Sequence, residues 1–140
     1  MKTIRYIMTV LLLMTVVSVT AKRIQAPEMY LIGFSASFQD STIYITDIQS
    51  LKGAWIDTKT RFLLGRDQYS AQLQEYCTSK LQRPNRVCVV FYATTKKDAE
   101  KKMEKLKKKY VLKAGKSYFV QHLKEEDFRF VPVDMSPQEE

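Results

Sequence analysis

Two cysteines, one histidine, a run of carboxylates and a block of lysines are the side chains of this 140-residue chain best placed to do chemistry. Cys77 and Cys88 stand eleven positions apart, which is not the C-x-x-C spacing of a thiol–disulfide oxidoreductase. Helical periodicity puts Cys77 on an apolar stripe, and Cys88 falls in the strand after the next turn. In an oxidising compartment the two could pair, and closing so short a loop stabilises a fold by about 3 kcal/mol. They could equally remain two buried thiols acting as small hydrophobes. His122 has no second histidine and no cysteine pair at ligand spacing, so a zinc site has nothing to build on. No G-x-S-x-G elbow offers it a nucleophile, and no glycine-rich loop is present to cradle phosphate. Glu125, Glu126 and Asp127 are consecutive, an arrangement suited to solvated carboxylates rather than a shared-proton dyad. The residues therefore imply no catalytic group, metal or cofactor. The enzyme alternative is a small envelope hydrolase, its site in the irregular 49–66 segment around Trp55, Asp57 and Arg66.

The lysines are the strongest charge signal. Between Lys96 and Lys116 there are ten lysines against Asp98, Glu100 and Glu104, a net +7. Lys97, Lys101, Lys105, Lys108 and Lys109 are the candidate contacts to an anionic surface, either a membrane or an acidic envelope protein. The competing reading is a solvated helix face laced with i,i+4 Glu–Lys pairs. Nucleic acid is not the expected partner, because this helix lacks the stacking aromatics of a single-strand binder.

The elements that must position these groups follow from hydrophobic period. Met29 to Phe38 alternates as a half-buried strand, and TIYITDI from Thr42 to Ile48 pairs with it as a hairpin. Asp67 is the expected cap of a helix reaching Leu81, with Tyr69, Leu73, Tyr76, Cys77 and Leu81 on its buried stripe. RVCVVFYA, Arg86 to Ala93, is the most continuous apolar run and suits a central strand buried on both faces. Thr94 or Thr95 caps a second helix whose stripe is Ala99, Met103, Leu106 and Tyr110. Gly115 marks a turn, Ser117 to Leu123 another strand, and Phe128 to Val133 a last edge strand. The order β-β-(irregular)-α-β-α-β-β predicts an α+β fold: one mostly antiparallel sheet of four to five strands, with two main helices on one face.

The N-terminus carries an address. Lys2 and Arg5 precede the apolar run Ile7–Val19, and small residues end at Ala21 before Lys22-Arg23. This is the pattern of a cleaved secretory signal. The alternative is an uncleaved membrane anchor, although the run falls short of the roughly 20 residues needed to span a bilayer. The expected organisation is a signal peptide over 1–21, a flexible lead over 22–28, a single α+β domain over 29–133 and a polar tail over 134–140. Without residues 1–21 the formal charge drops from +8 to +6, because Lys2 and Arg5 are lost. Abundant aromatic and branched residues exclude whole-chain disorder, and two cysteines exclude a disulfide scaffold.

The strings Gly33-Phe34-Ser35-Ala36-Ser37-Phe38, Ile45-Thr46-Asp47-Ile48-Gln49, Phe62-Leu63-Leu64-Gly65-Arg66 and Tyr69-Ser70 resemble a family of small exported proteins of Gram-negative anaerobic bacteria. That resemblance covers most of the mature chain. It implies a periplasmic or extracellular location and no assigned activity. The expected function is an exported, non-enzymatic interaction or accessory module using the lysine-rich helix.

Overall fold

The alternating run beginning at Met29 becomes the strand on which the rest of the fold is assembled. In a computed structural model, which describes residues 3, 22–112 and 117–138, that strand is β2, Met29–Ala36. Around it lie β1 (Arg23–Gln25), β3 (Thr42–Thr46), β4 (Gln49–Leu51), β5 (Trp55–Asp57), β6 (Val87–Ala93) and β7 (Phe119–Leu123). The helices are α1 (Arg66–Ser79) and α2 (Lys96–Lys107), the latter running into a π-helical turn at Lys108–Leu112. Apart from Thr3, the expected signal peptide lies outside the described residues, as does the turn expected at Gly115. Among the described residues, no helix is long and apolar enough to cross a membrane.

β6 runs antiparallel along one edge of β2 from Tyr30 to Ala36. β3 and β4 share the other edge, also antiparallel, separated by a kink at Asp47 and Ile48. β7 closes the sheet parallel to β3, with Thr42 opposite Phe119 and Thr46 opposite Leu123. The class is α+β, as the order of elements predicts, and the sheet is antiparallel except for the parallel pair β3–β7.

The two helices do not share a face. Tyr69, Leu73 and Cys77 of α1 pack with Met29, Leu31 and Tyr44. Met103 and Leu106 of α2 pack with Ile32, Phe34, Ile43 and Ile45. Successive strand residues point to opposite sides, so α1 covers one face of the sheet and α2 the other. β2 is therefore the strand buried on both faces, and β6, expected at the centre, is an outer strand with Val87 and Val89 exposed. Gly33 and Ser35 disguise this, because they look like a polar face while supplying room. A Cβ at Gly33 would sit 2.9 Å from Thr46 Cγ2, 3.0 Å from Leu73 Cδ2 and 3.1 Å from Phe130 Cζ. Only a residue without a side chain lets α1 and the C-terminal segment approach so closely.

Local signals at the helix ends hold in part. Thr95 caps α2, its Oγ1 accepting from the Asp98 N–H at 3.2 Å. Gly65 in the left-handed region (φ 77°), and not Asp67, precedes α1. Asp67 sits inside the first turn, where its charge complements the helix dipole. The 22–28 segment, expected as a flexible lead, contains β1, whose residues pair antiparallel with β5. Strands of three residues are too short for a period to reveal.

Phe128 to Val133 forms no strand. Its backbone is instead gripped by side chains. Gln49 Nε2 donates to the Phe128 carbonyl and Gln49 Oε1 accepts from the Phe130 N–H, both at 2.8 Å. Gln72 does the same to both backbone groups of Val131 at 2.9 Å, and the Tyr69 hydroxyl accepts from the Val133 N–H at 3.0 Å. Two amides thus take the place of a neighbouring strand, which lets Phe128 and Phe130 enter the core.

Candidate functional site: a cationic groove beside the lysine helix

α2 buries Ala99, Met103 and Leu106 and turns the rest of its surface outward. Lys97, Lys101, Lys105, Lys108 and Lys109 are all exposed. Lys101 and Lys105 line one side of a groove of about 390 Å³ together with Lys102 and Asp98. The far wall is the loop carrying Arg61 and Phe62, and Tyr92 of β6 contributes between the two sides. Lys97 falls outside that groove, lining a separate depression of about 540 Å³ with Glu100, Glu104 and Met103. Lys108 and Lys109 lie beyond α2 on the π-helical turn, where the Lys109 ammonium sits 5.3 Å from the Tyr110 ring.

Asp57 builds the far wall. Its Oδ1 accepts from the N–H groups of Lys59 (2.8 Å) and Thr60 (3.0 Å), a local turn that folds the chain back on itself. Those bonds, with the Thr60 N–H first, hold the Asp57 carboxyl below the ordinary aspartate value. The turn places Arg61 in the left-handed region (φ 62°) and leaves Phe62 largely exposed. Tyr92 is a platform for cations: the Arg66 guanidinium lies 5.4 Å and the Lys102 ammonium 5.1 Å from its ring centre. Lys102 Nζ also donates to the Tyr92 carbonyl.

Four cations, Arg61, Lys101, Lys102 and Lys105, thus face a groove that holds one carboxylate, Asp98. Among the described residues, none of the α2 lysines forms an ion pair with a carboxylate, so the i,i+4 pairs expected of a merely solvated face are not made. Arg61 and Phe62 escape sequence reasoning because they lie on a separate loop far before the lysine run, and Tyr92 because it reads as part of an apolar strand.

Of the residues of the enzyme alternative, Trp55 and Asp57 lie two positions apart on β5, and Arg66 opens α1. Asp57 is committed to its turn, Trp55 is half-buried in β5, and Arg66 is stacked near Tyr92. His122 pairs instead with Asp47, whose other oxygen accepts from the Glu125 N–H at 3.1 Å. Glu125 in turn reaches Arg129 at 3.5 Å. Among the described residues, no group of three potential ligands could hold a metal ion.

Asp47 ties β3 to β7, and its titration has a sign. The His122 hydrogen bond and the Glu125 N–H hold its carboxyl below the ordinary 3.8 despite some burial. A depressed carboxylate stabilises the fold above its unfolded value and loses that contribution as pH falls through the folded one. Asp47→Asn is therefore expected to destabilise the protein at neutral pH and to do so less in acid well below the ordinary 3.8. Urea unfolding at the two pH values checks this; equal destabilisation at both would contradict it.

Cys77 and Cys88 are close but unbridged. Comparison with family models, with curated proteins and with solved structures finds no match to this chain. Fold and site together define an α+β protein with a cationic, aromatic-floored groove on one side of its sheet.

Proposed function

We propose that this protein is an exported, non-enzymatic interaction module that binds an anionic membrane surface through the groove and the exposed face of α2. The observation that carries the reading is the convergence of Arg61, Lys101, Lys102 and Lys105 on one groove. A helix face meant only for solubility has no reason to collect a cation from a separate loop. Lysine suits the diffuse charge of a phosphate headgroup layer, where each cation near the surface contributes about 1 kcal/mol. The aromatic edge of Phe62 adds a group able to rest at the headgroup boundary. The signal-peptide pattern of residues 1–21 supports the location.

The test is co-sedimentation with vesicles of phosphatidylglycerol against phosphatidylcholine, with salt varied. Binding is expected only to the acidic vesicles and to fall with ionic strength. Changing Lys101, Lys102 and Lys105 together to Gln is expected to weaken it by about 100-fold, at about 1 kcal/mol per charge. The same change at Lys107, Lys108 and Lys109 is expected to cost less. Equal losses from the two triple variants would remove the groove from the explanation. Unchanged binding in both would remove the lysines.

A further inference from the structure

α1 and β6 each bring one cysteine to the hydroxyl of Ser35 on β2. Cys88 lies opposite Ser35 in the β2–β6 register. Cys88 Sγ is 3.4 Å and Cys77 Sγ 3.7 Å from Ser35 Oγ. Arg86 Nε donates to the same oxygen at 2.9 Å, and the Arg86 side chain is 1% exposed. With its lone pair engaged by a guanidinium, the Ser35 hydroxyl can turn its own proton toward whichever sulfur carries negative charge. The two thiols differ in access. Cys77 is fully buried, whereas Cys88 lines a groove of about 460 Å³ between α1 and β6, beside Arg66, Asp67, Ser70 and Gln74.

We propose that Cys77 and Cys88 form a peroxide-reactive dithiol in which Cys88 meets the oxidant in this groove and Cys77 closes the disulfide. The Cys88 thiolate attacks one oxygen of hydrogen peroxide, the O–O bond breaks, and the other oxygen leaves as hydroxide, becoming water on taking a proton. Cys88 is then a sulfenic acid. The Cys77 sulfur attacks the Cys88 sulfur, the S–O bond breaks, and the hydroxyl departs with the Cys77 proton as a second water. Two thiols give two electrons to one peroxide, and two equivalents of an external thiol, leaving as their own disulfide, restore them.

The electrostatics agree with that order of attack. A hydrogen bond from the Cys77 thiol, the Ser35 hydroxyl and the Arg86 charge bring Cys88 down to about 7, against the opposing effect of burial. The same bond and burial push Cys77 up. Near neutral pH the reachable sulfur is thus the nucleophilic one. The bridge would join α1 to β6 next to the fixed point that Arg86 makes with Asp40.

The test treats the reduced protein with hydrogen peroxide and maps its peptides without reduction. A Cys77–Cys88 linked peptide is expected, with a rate that rises with pH and reaches its plateau at lower pH than an ordinary cysteine would. In Cys77→Ser the sulfenic acid is expected to persist at Cys88 and be captured by dimedone. In Cys88→Ser, Cys77 is expected to label at least about tenfold more slowly. Comparable labelling of the two variants would overturn the assignment of the attacking thiol. Reaction of the wild type no faster than free cysteine, or irreversible oxidation with no linked peptide, would overturn the dithiol itself.

Discussion

Arg86→Met is expected to cost about 3–5 kcal/mol of unfolding free energy, the scale on which breaking a buried ion pair leaves its partners uncompensated. The guanidinium is spent completely. Nε serves Ser35 Oγ, Nη1 reaches both Asp40 oxygens at 3.2 Å, and Nη2 donates to the carbonyls of Ser35 and Thr42. Its Cζ lies 4.8 Å from the Tyr44 ring centre. Methionine keeps much of the length and apolar contact, so the loss would report unpaired polar groups and not a cavity. Arg86→Lys should fall between, since an ammonium lacks the planar fork that serves three directions at once. Urea denaturation followed by circular dichroism measures all three proteins. A loss below about 1 kcal/mol for Arg86→Met would place this residue with ordinary surface ion pairs.

Gln49→Leu is expected to cost about 2–6 kcal/mol, because it strands two buried backbone groups worth about 1–3 kcal/mol each. Gln49 is 1% exposed, and among the described residues its amide is the partner of both the Phe128 carbonyl and the Phe130 N–H. Leucine fills the space without offering a bond. Gln72 makes an identical pair of bonds to Val131 but at the surface, where water can replace it. Gln72→Ala should therefore cost less than about 1 kcal/mol. Hydrogen exchange adds a local readout: the Phe130 amide should lose protection in Gln49→Leu, and the Val131 amide only modestly in Gln72→Ala. Equal stability losses at the two glutamines would contradict the argument from burial.

These two residues also show where sequence reading stops. Arg86 opens an apolar run and reads as its boundary. Asp40, its partner, sits 46 positions earlier in a turn, and nothing local connects them. Gln49 lies in a polar stretch and reads as surface, although it faces the interior. The second helix behaved differently. Its stripe of Ala99, Met103 and Leu106 and its Thr95 cap were legible, because a 3.6-residue period and a cap bond are short-range properties. β2 shows the intermediate case. Its alternation was plain, but Gly33 and Ser35 imitated a solvent face while making room for Leu73 and Phe130.

The candidate site divides along the same line. Lys101 and Lys105 belong to a charge run visible in the chain, while Arg61 enters through a left-handed turn and Tyr92 through a strand register. The proximity of Cys77 and Cys88 was open from spacing alone. Their common partner Ser35 lies 42 positions before Cys77.

By itself, then, the sequence determined the α+β class, both helices with their buried stripes, and the concentration of positive charge on the second. Each depends on residues within a turn or two of one another. Only the tertiary structure decided that the helices take opposite faces, that β2 and not β6 is the central strand, and that Arg61 completes a groove. It alone set Arg86 and Ser35 beside the thiols. Those outcomes rest on volume and polar satisfaction between distant segments, which no local period encodes.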